Sequence, residues 1–482
     1  MFKELVHKAD LNNGYYMNPI LDGDYADPAV FREGEDYYLT ASTGAYYPGL
    51  SIFHSRDLVN WVLLCHPLKY FDKEVWAPDF FKYKEKYYIY FCAAGTNWVI
   101  YSDQVDGEWS TPIDLKVGCI DPGHVVDDEG NRFLFLSQNY VVPLAKDGLS
   151  VISEPVQVLK AQDIPDEWDI EGHFPEAPNV FKKDGYYYLT YADGGTSGPA
   201  TAHMIMAARA KNIYGPWELS PYNPIVHTWT RHEKWICKGH GHFVEDVEGK
   251  WWAVYHAYEN GYESLGRKLL LSPVEFTEDG WFQIRKPVDE ATKKPVGRRV
   301  EDSSCLSDDF KVDEIKGWRS WGETNFNRYR REKGGLYIEA VPETIGKGHP
   351  MTIITGDHSY EIFTYVRIDA GCEAGIVLQY NEEIYHAVGI KDGILRIYRL
   401  GKLLAQKNLG TSECWLKMKN DEQYISFYYS IDGIHYQKMN FVINVSGQNT
   451  SAYNGFLSLR PGIFAVGEAG AWFRDFTYVG LK

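Results

Sequence analysis

Residues 176–192 read EAPNVFKKDGYYYLTYA. An acid opens the stretch, a short apolar strand follows, a charged turn ending in Gly reverses the chain, and an aromatic strand returns. This is the pattern of two antiparallel strands joined by a tight turn. The unit recurs four more times: DPAVFREGEDYYLTAS over 27–42, APDFFKYKEKYYIYFCA over 77–93, DPGHVVDDEGNRFLFLS over 121–137 and HGHFVEDVEGKWWAVYHA over 240–257. In each copy the aromatic strand begins about ten residues after the opening residue. Weaker echoes follow three of the copies: HSRDLVNWVLL, YSDQVDGEWSTPIDL and RAKNIYGPWELSP, which read as outer strands of the same units. Copies start roughly 40 to 65 residues apart, the interval of four-stranded blades. Between residues 20 and 284 no long helix-period segment competes, so the repeats predict a five-bladed β-propeller.

In a propeller the innermost strand of each blade lines the central channel, so equivalent residues at its entrance form a ring. The alignment puts Asp27, Ala77, Asp121, Glu176 and His240 in that ring. Small or apolar residues would serve structure there, as Ala77 does. Three carboxylates and an imidazole repel or resist desolvation, which makes them a poor device for stability. The structural alternative is a channel filled with water or a cation. Perturbed carboxylates in a concave site are instead the arrangement of acid–base chemistry.

Two carboxyl groups with separate roles, and a third that tunes one of them, are what glycoside hydrolysis requires. Charge at Asp121 is expected to raise the pKa of Glu176, with desolvation by Phe174, Pro175, Ala177 and Pro178 acting in the same direction. Glu176 is then the general acid, and Asp27, across the scissile bond, the ionised base that activates water. Carboxyl groups from non-adjacent blades leave room for that water and favour inversion. Glu171, in WDIEGHF, is the rival acid but lies outside the repeat-equivalent position. Asp22 and Asp24 read as solvated turn acids, and Asp79 as a structural strand-entry residue.

Composition narrows the partners. The chain has 482 residues, too many for one core. A net charge of -17 argues against nucleic acid, which needs a basic footprint. Seven dispersed Cys without a CxxC pair read as free thiols in a reducing compartment. No apolar leader or membrane-spanning stretch is evident, so the expected location is cytoplasmic, with no membrane partner.

The ordered motifs NPILDGDYADPAVF, VWAPDFFKYKEKYYIYF, CIDPGHVVDDEG, FPEAPNVFKKDGYYYLTYADGG, KGHGHFVEDVEGKWWAVYH and ESLGRKLLLSPVEF closely resemble glycoside hydrolase family 43, five-bladed propeller enzymes that cleave xylosides and arabinosides with inversion. The resemblance implies Asp27 as base, Asp121 as the residue that orients and modulates the acid, and Glu176 as acid. It implies Trp76 as an aromatic wall of the sugar subsite and Arg267 as a sugar-binding arginine. His240 matches a channel histidine that lies near a hydrated cation, often calcium, in relatives. Asn179 stands where many relatives carry His, and His242 where Asp is common.

Beyond a polar linker over 285–304, short alternating strands (YEIFTYVRID, AGIVLQY, YHAVGIK, ILRIYRL, EQYISFYYSID) predict a two-sheet sandwich, similar to the concanavalin-like module appended to family 43 xylosidases. The expectation is therefore an all-β chain. A propeller occupies 1–300, and a β-sandwich over 305–482 packs on it and covers one end of the pocket. The expected activity is exo-acting hydrolysis that releases β-D-xylose or α-L-arabinofuranose from short oligosaccharides. A weak, mostly hydrated calcium in the channel and a homo-oligomer are compatible with this reading. The rivals are another family 43 specificity (arabinanase or exo-galactanase), a non-catalytic glycan-binding propeller and a scaffold for protein partners.

Overall fold

The computed structural model describes residues 6–300, 306–311, 317–323, 325–332 and 334–481; Cys305 and the end of the linker, 301–304, lie outside them. Five four-stranded antiparallel units follow one another along the chain. Each is built from one continuous stretch, beginning with the inner strands Ala29–Glu33, Trp76–Tyr83, Gly123–Val126, Gly172–Lys183 and Trp235–Glu245. The fourth carries an additional short strand, Val226–His227, against its third.

The aromatic strands do not alternate with polar residues because both of their faces are buried. In Tyr186–Gly194, Tyr187, Leu189 and Tyr191 pack toward the third blade, whereas Tyr188 packs toward the fifth. In Trp251–Glu259, Trp252 and Val254 face the first blade, while Ala253 and Tyr255 face the fourth. Every neighbouring pair of blades thus owns an apolar core, and most of the Tyr and Trp surplus is spent there. Truncating a side chain such as Leu189 in one of these cores costs about 2–5 kcal/mol.

No strand is shared between the first and last blades, so closure comes from packing and from the N-terminal segment. Tyr15–Tyr16 pairs with Thr292–Lys293, and the Asn18 amide donates to the carbonyls of Leu271 and Val288 at 3.0 and 3.1 Å. Lys294 completes the tie through Asp10 and Asp57, at 2.6 and 2.8 Å. The described part of the linker is therefore a strap along the propeller.

The C-terminal region forms two sheets, of eight and seven strands, around a single core that includes Ile376, Val388, Leu416, Phe427 and Tyr478. The last strand of the eight-stranded sheet is Tyr46–Tyr47, which comes from the connection between the second and third strands of the first blade and pairs with Ser320 and Trp321. Asp22 and Asp24 are not solvated turn acids, contrary to expectation. Asp24 binds Arg460 of the sandwich at 3.2 Å, and Asp22 meets Lys268 at 2.7 Å, whose ammonium also donates to the Gly356 carbonyl. A turn composition is indistinguishable in sequence from an acid reserved for a distant arginine. Among the described residues no helix is long and apolar enough to cross a membrane.

Candidate active site

Where the inner strands enter the channel, three of the five make the same irregularity. Trp76 pairs with Cys92, Glu176 with Ala192 and Gly239 with His256, and in each case a β-bulge follows. The residue after the paired one takes a left-handed backbone: Ala77 at φ 43°, Ala177 at 53° and His240 at 50°. Asp27 and Asp121 have the same conformation, at 54° and 57°. Non-glycine residues in this region cost about 1–3 kcal/mol and collect at functional sites. The bulge turns the local side chains out of the strand's ordinary alternation and into the cavity.

This geometry corrects the ring by one residue. The fourth-blade equivalent of Asp27, Ala77, Asp121 and His240 is Ala177, and Glu176 precedes it, in the place that Trp76 holds in the second blade. The sequence carried the signal: Asp27, Ala77, Asp121 and Ala177 are each followed by Pro. Aromatic spacing alone tolerates such a slip, because the bulge adds a residue that the spacing does not count.

All six predicted site residues (Asp27, Trp76, Asp121, Glu176, His240 and Arg267) line one pocket of about 110 Å3. Asp27 is bound on every side. Arg267 Nη1 donates to its Oδ1 at 2.8 Å, and the Ser42 hydroxyl, which accepts the Ala77 N–H, donates to its Oδ2 at 2.5 Å. Its backbone N–H donates to His256 Nδ1 at 3.0 Å, which leaves that ring's proton on Nε2, 3.4 Å from Thr196 Oγ1. Burial alone would raise the pKa of Asp27. The Arg267 charge and the neighbouring imidazoles outweigh burial and hold it well below the usual carboxylate range.

The other two acids are pushed the opposite way. Burial first, and the Asp27 charge second, raise Asp121 to about 7, although its Oδ2 accepts the Ala177 N–H at 3.0 Å. Burial, and then the charges of Asp121 and Asp27, hold Glu176 well above the ordinary glutamate value. Phe174 contributes little to that burial, being 47% exposed. Glu171 is spent on the loop that follows Gly194, accepting from Ser197 Oγ and N–H at 2.8 and 2.9 Å.

His240 Nδ1 lies 3.3 Å from Asp27 and 3.9 Å from Asp121, and burial lowers its pKa to about 3, so a neutral imidazole spans the two carboxyl groups. Calcium takes six to eight oxygen ligands. Among the described residues no three His, Cys, Asp or Glu side chains group as they would around a metal ion. The donors here therefore do not fit a cation held by protein ligands.

Several pocket residues carried no signal in the sequence. Phe456 and Arg460 come from the sandwich, reaching over the pocket beyond the four-residue helix Thr450–Tyr453. The Phe456 ring meets Trp76 edge-on at 6.4 Å, and the Arg267 guanidinium lies 5.2 Å from its centre. Arg267 is no surface charge: it is buried, and its Nε is a buried donor with no protein partner. Ser42 and His256 close two of the quoted repeats, yet only the folded channel brings them to Asp27. Asp79 is structural, as expected, accepting from the His124 N–H at 2.6 Å and lying 3.2 Å from His242 Nε2. The two departures meet there, with Asn179 Nδ2 2.9 Å from His242 Nε2.

The family model described as glycosyl hydrolases family 43 matches residues 16–282. The chain is 28% identical over 310 residues to a xylan 1,3-beta-xylosidase of Vibrio sp, an alignment covering 54% of this chain and 56% of that protein. It is 25% identical over 525 residues to a xylosidase/arabinosidase of Butyrivibrio fibrisolvens, covering 96% and 99%. A non-reducing end alpha-L-arabinofuranosidase of Bacteroides ovatus is 29% identical over 295 residues, covering 56% and 54%. The alignments thus span little more than half of the Vibrio and Bacteroides proteins. Among solved structures, the GH43 BlXynB protein of Bacillus licheniformis superposes with a TM-score of 0.89 at 28% identity, covering 97% of this chain and 100% of that one.

Proposed function

The chain belongs to glycosyl hydrolases family 43, and from that premise we propose that it is an inverting, exo-acting glycosidase releasing β-D-xylose or α-L-arabinofuranose from short oligosaccharides. The observation that carries the reading is the opposed ionisation inside one small pocket. Asp27 is held charged by Arg267 while Glu176 is held protonated by burial and by its acidic neighbours. Pairs of carboxyl groups whose environments push their pKa values apart divide naturally into base and acid.

In the proposed step Asp27 takes a proton from water as the water oxygen bonds to the anomeric carbon. Glu176 gives its proton to the glycosidic oxygen as the bond to the leaving group breaks. Glu176 ends as carboxylate and Asp27 as acid, and exchange with solvent resets both. Asp121 positions the acid through the Ala177 N–H and keeps it protonated through its charge. Arg267 and Trp76 line the pocket, the guanidinium as a polar contact for sugar hydroxyls and the indole as an aromatic wall. The exo preference is supported by the size of the pocket and by Phe456 and Arg460, which roof it from the sandwich. The names of the Vibrio, Butyrivibrio and Bacteroides proteins support pentose substrates.

The test is a panel of aryl β-xyloside, α-arabinofuranoside and galactoside substrates, assayed with the wild type and with Glu176→Gln, together with the anomer of the first sugar released, read by NMR. The wild type should turn over at least one pentoside and release the inverted anomer. Turnover of none, or a retained anomer, would overturn the proposal.

A further inference from the structure

Where the fourth blade meets the fifth, a crevice of about 480 Å3 opens beside an aromatic platform. Tyr222, His227, Trp229, Glu233, Trp235 and Lys238 line it. Most aromatic residues of the propeller are buried between blades, yet Trp229 is 64% exposed. Its ring is not loose. Trp168 stacks on His227 with centroids 4.5 Å apart and planes within 11°, and Trp229 meets these two rings edge-on at 5.6 and 4.7 Å. Glu233 fixes the backbone beneath it, with Oε1 accepting the N–H groups of Trp229 and Thr230 at 2.6 and 3.1 Å. The other oxygen takes the Lys238 ammonium at 2.7 Å.

Two buried polar atoms on the crevice lining have no partner in the protein: Trp235 Nε1 and His227 Nδ1. Both residues are more than nine-tenths buried. His227 Nε2 lies 2.9 Å from the Thr201 carbonyl and carries the ring proton, so Nδ1 presents a lone pair. Both atoms are closed off from solvent, so they belong to the wall behind the crevice. Its lysines are paired, Lys238 to Glu233 at 2.7 Å, Lys234 to Glu259 at 3.5 Å and Lys286 to Glu290 at 2.5 Å, and Arg285 and Asp289, one of each sign, also line it. A ligand suited to this lining carries no net charge, has polar groups for side chains such as Glu233, Lys238, Arg285 and Asp289, and has an apolar face for an indole. Those are the properties of a sugar ring.

The crevice is also close to the pocket along the chain. The loop whose Thr201 holds His227 contributes Thr196 to the pocket, and Thr201 Oγ1 donates to the Asp169 carbonyl beside Trp168.

We infer that this crevice is a second glycan-binding site, in which Trp229 stacks on a sugar of an uncharged oligosaccharide or polysaccharide. The chemical class of its ligand rests on the glycosidase reading; its geometry does not.

The test is affinity electrophoresis through gels containing soluble xylan or soluble arabinan. Glu176→Gln serves as the parent so that the matrix survives, and Trp229→Ala and Tyr222→Ala are compared in that background. The parent should be retarded in one of the gels, and Trp229→Ala should weaken the apparent affinity about tenfold at an unchanged melting temperature, as loss of an aromatic anchor does. If Trp229→Ala melts early, Tyr222→Ala decides in its place. A parent that migrates freely in both gels, or variants retarded as strongly as the parent, would overturn the inference. Retardation that depends on Trp229, in a protein that hydrolyses none of the aryl glycosides, would break the catalytic reading and leave this one standing.

Discussion

The five inner strands place polar residues at two levels of one channel, and the two levels behave differently. Below the bulges, Asp79 and Asn179 are tied to the backbone of adjoining blades: Asp79 accepts the His124 N–H and Asn179 Oδ1 the Phe243 N–H, with His242 Nε2 lying 3.2 Å from Asp79 and 2.9 Å from Asn179. At the bulges, Asp27, Asp121 and Glu176 oppose one another. One is held charged by Arg267, and the other two are driven toward protonation. The chemical ingredients are similar, yet one set bonds the backbone of neighbouring blades and the other is an unresolved conflict. Bonds from side chain to backbone hold the blades in place, whereas conflict between carboxyl groups is what supplies an acid and a base.

The contrast is broken most forcefully at the bulges. Asp27→Asn and Glu176→Gln should each lower kcat on the best aryl glycoside by ~10²–10⁴-fold, the worth of a general base or acid. Asp27→Asn leaves the buried Arg267 without its carboxylate and should also melt earlier, whereas Glu176→Gln should melt no lower than wild type, so its lost rate is loss of chemistry and not of fold.

Removing residues 305–482 attacks the roof. It strips Arg460 from Asp24 and Phe456 from Trp76, and it exposes the Tyr46–Tyr47 edge. The shortened chain should be insoluble or inactive on small glycosides; full activity would show that the propeller pocket is complete without its cover. A milder cut, Phe456→Ala, should raise KM for the terminal sugar about tenfold while the fold persists, by loss of one packed aromatic contact.

Asp121→Asn sharpens the comparison through pH. A carboxyl group whose folded pKa is raised costs no stability while it is protonated in both states. The cost begins above the unfolded value near 4 and grows until about pH 7. The variant should therefore melt ~2 °C or more above wild type at pH 8 and no higher at pH 3.5. Losing the Asp121 charge should also move the alkaline limb of the pH–rate profile to lower pH, because Glu176 then gives up its proton more readily. The smallest effect belongs to the level below the bulges. Asp79→Asn keeps one acceptor and loses about 1 kcal/mol of stability, with kcat within twofold of wild type.

Much of the site was legible because repetition exposes exceptions. Five copies of one strand pair make Asp27, Asp121 and His240 conspicuous at a place where a repeat needs only a small residue, with Glu176 one residue before it. Legibility stopped where contacts join distant parts of the chain. Ser42 and His256 reach Asp27 only because the blades close into a ring. Asp24 looked like a turn acid because its partner, Arg460, lies 436 residues away.

What the sequence determined by itself is the five-fold repeat, its strand pairs and which ionisable residues break it, since local pattern and turn chemistry govern each hairpin. The register of the ring, with Ala177 and not Glu176 as the true equivalent, belongs to the tertiary structure, because a bulge is defined by pairing with a neighbouring strand. So does the roof of Phe456 and Arg460, because the length of the chain between two elements says little about how close folding will bring them. The opposed charge states of Asp27 and Glu176 were foreshadowed by their kinship, but burial and Arg267 produce them, and both exist only once the channel has closed.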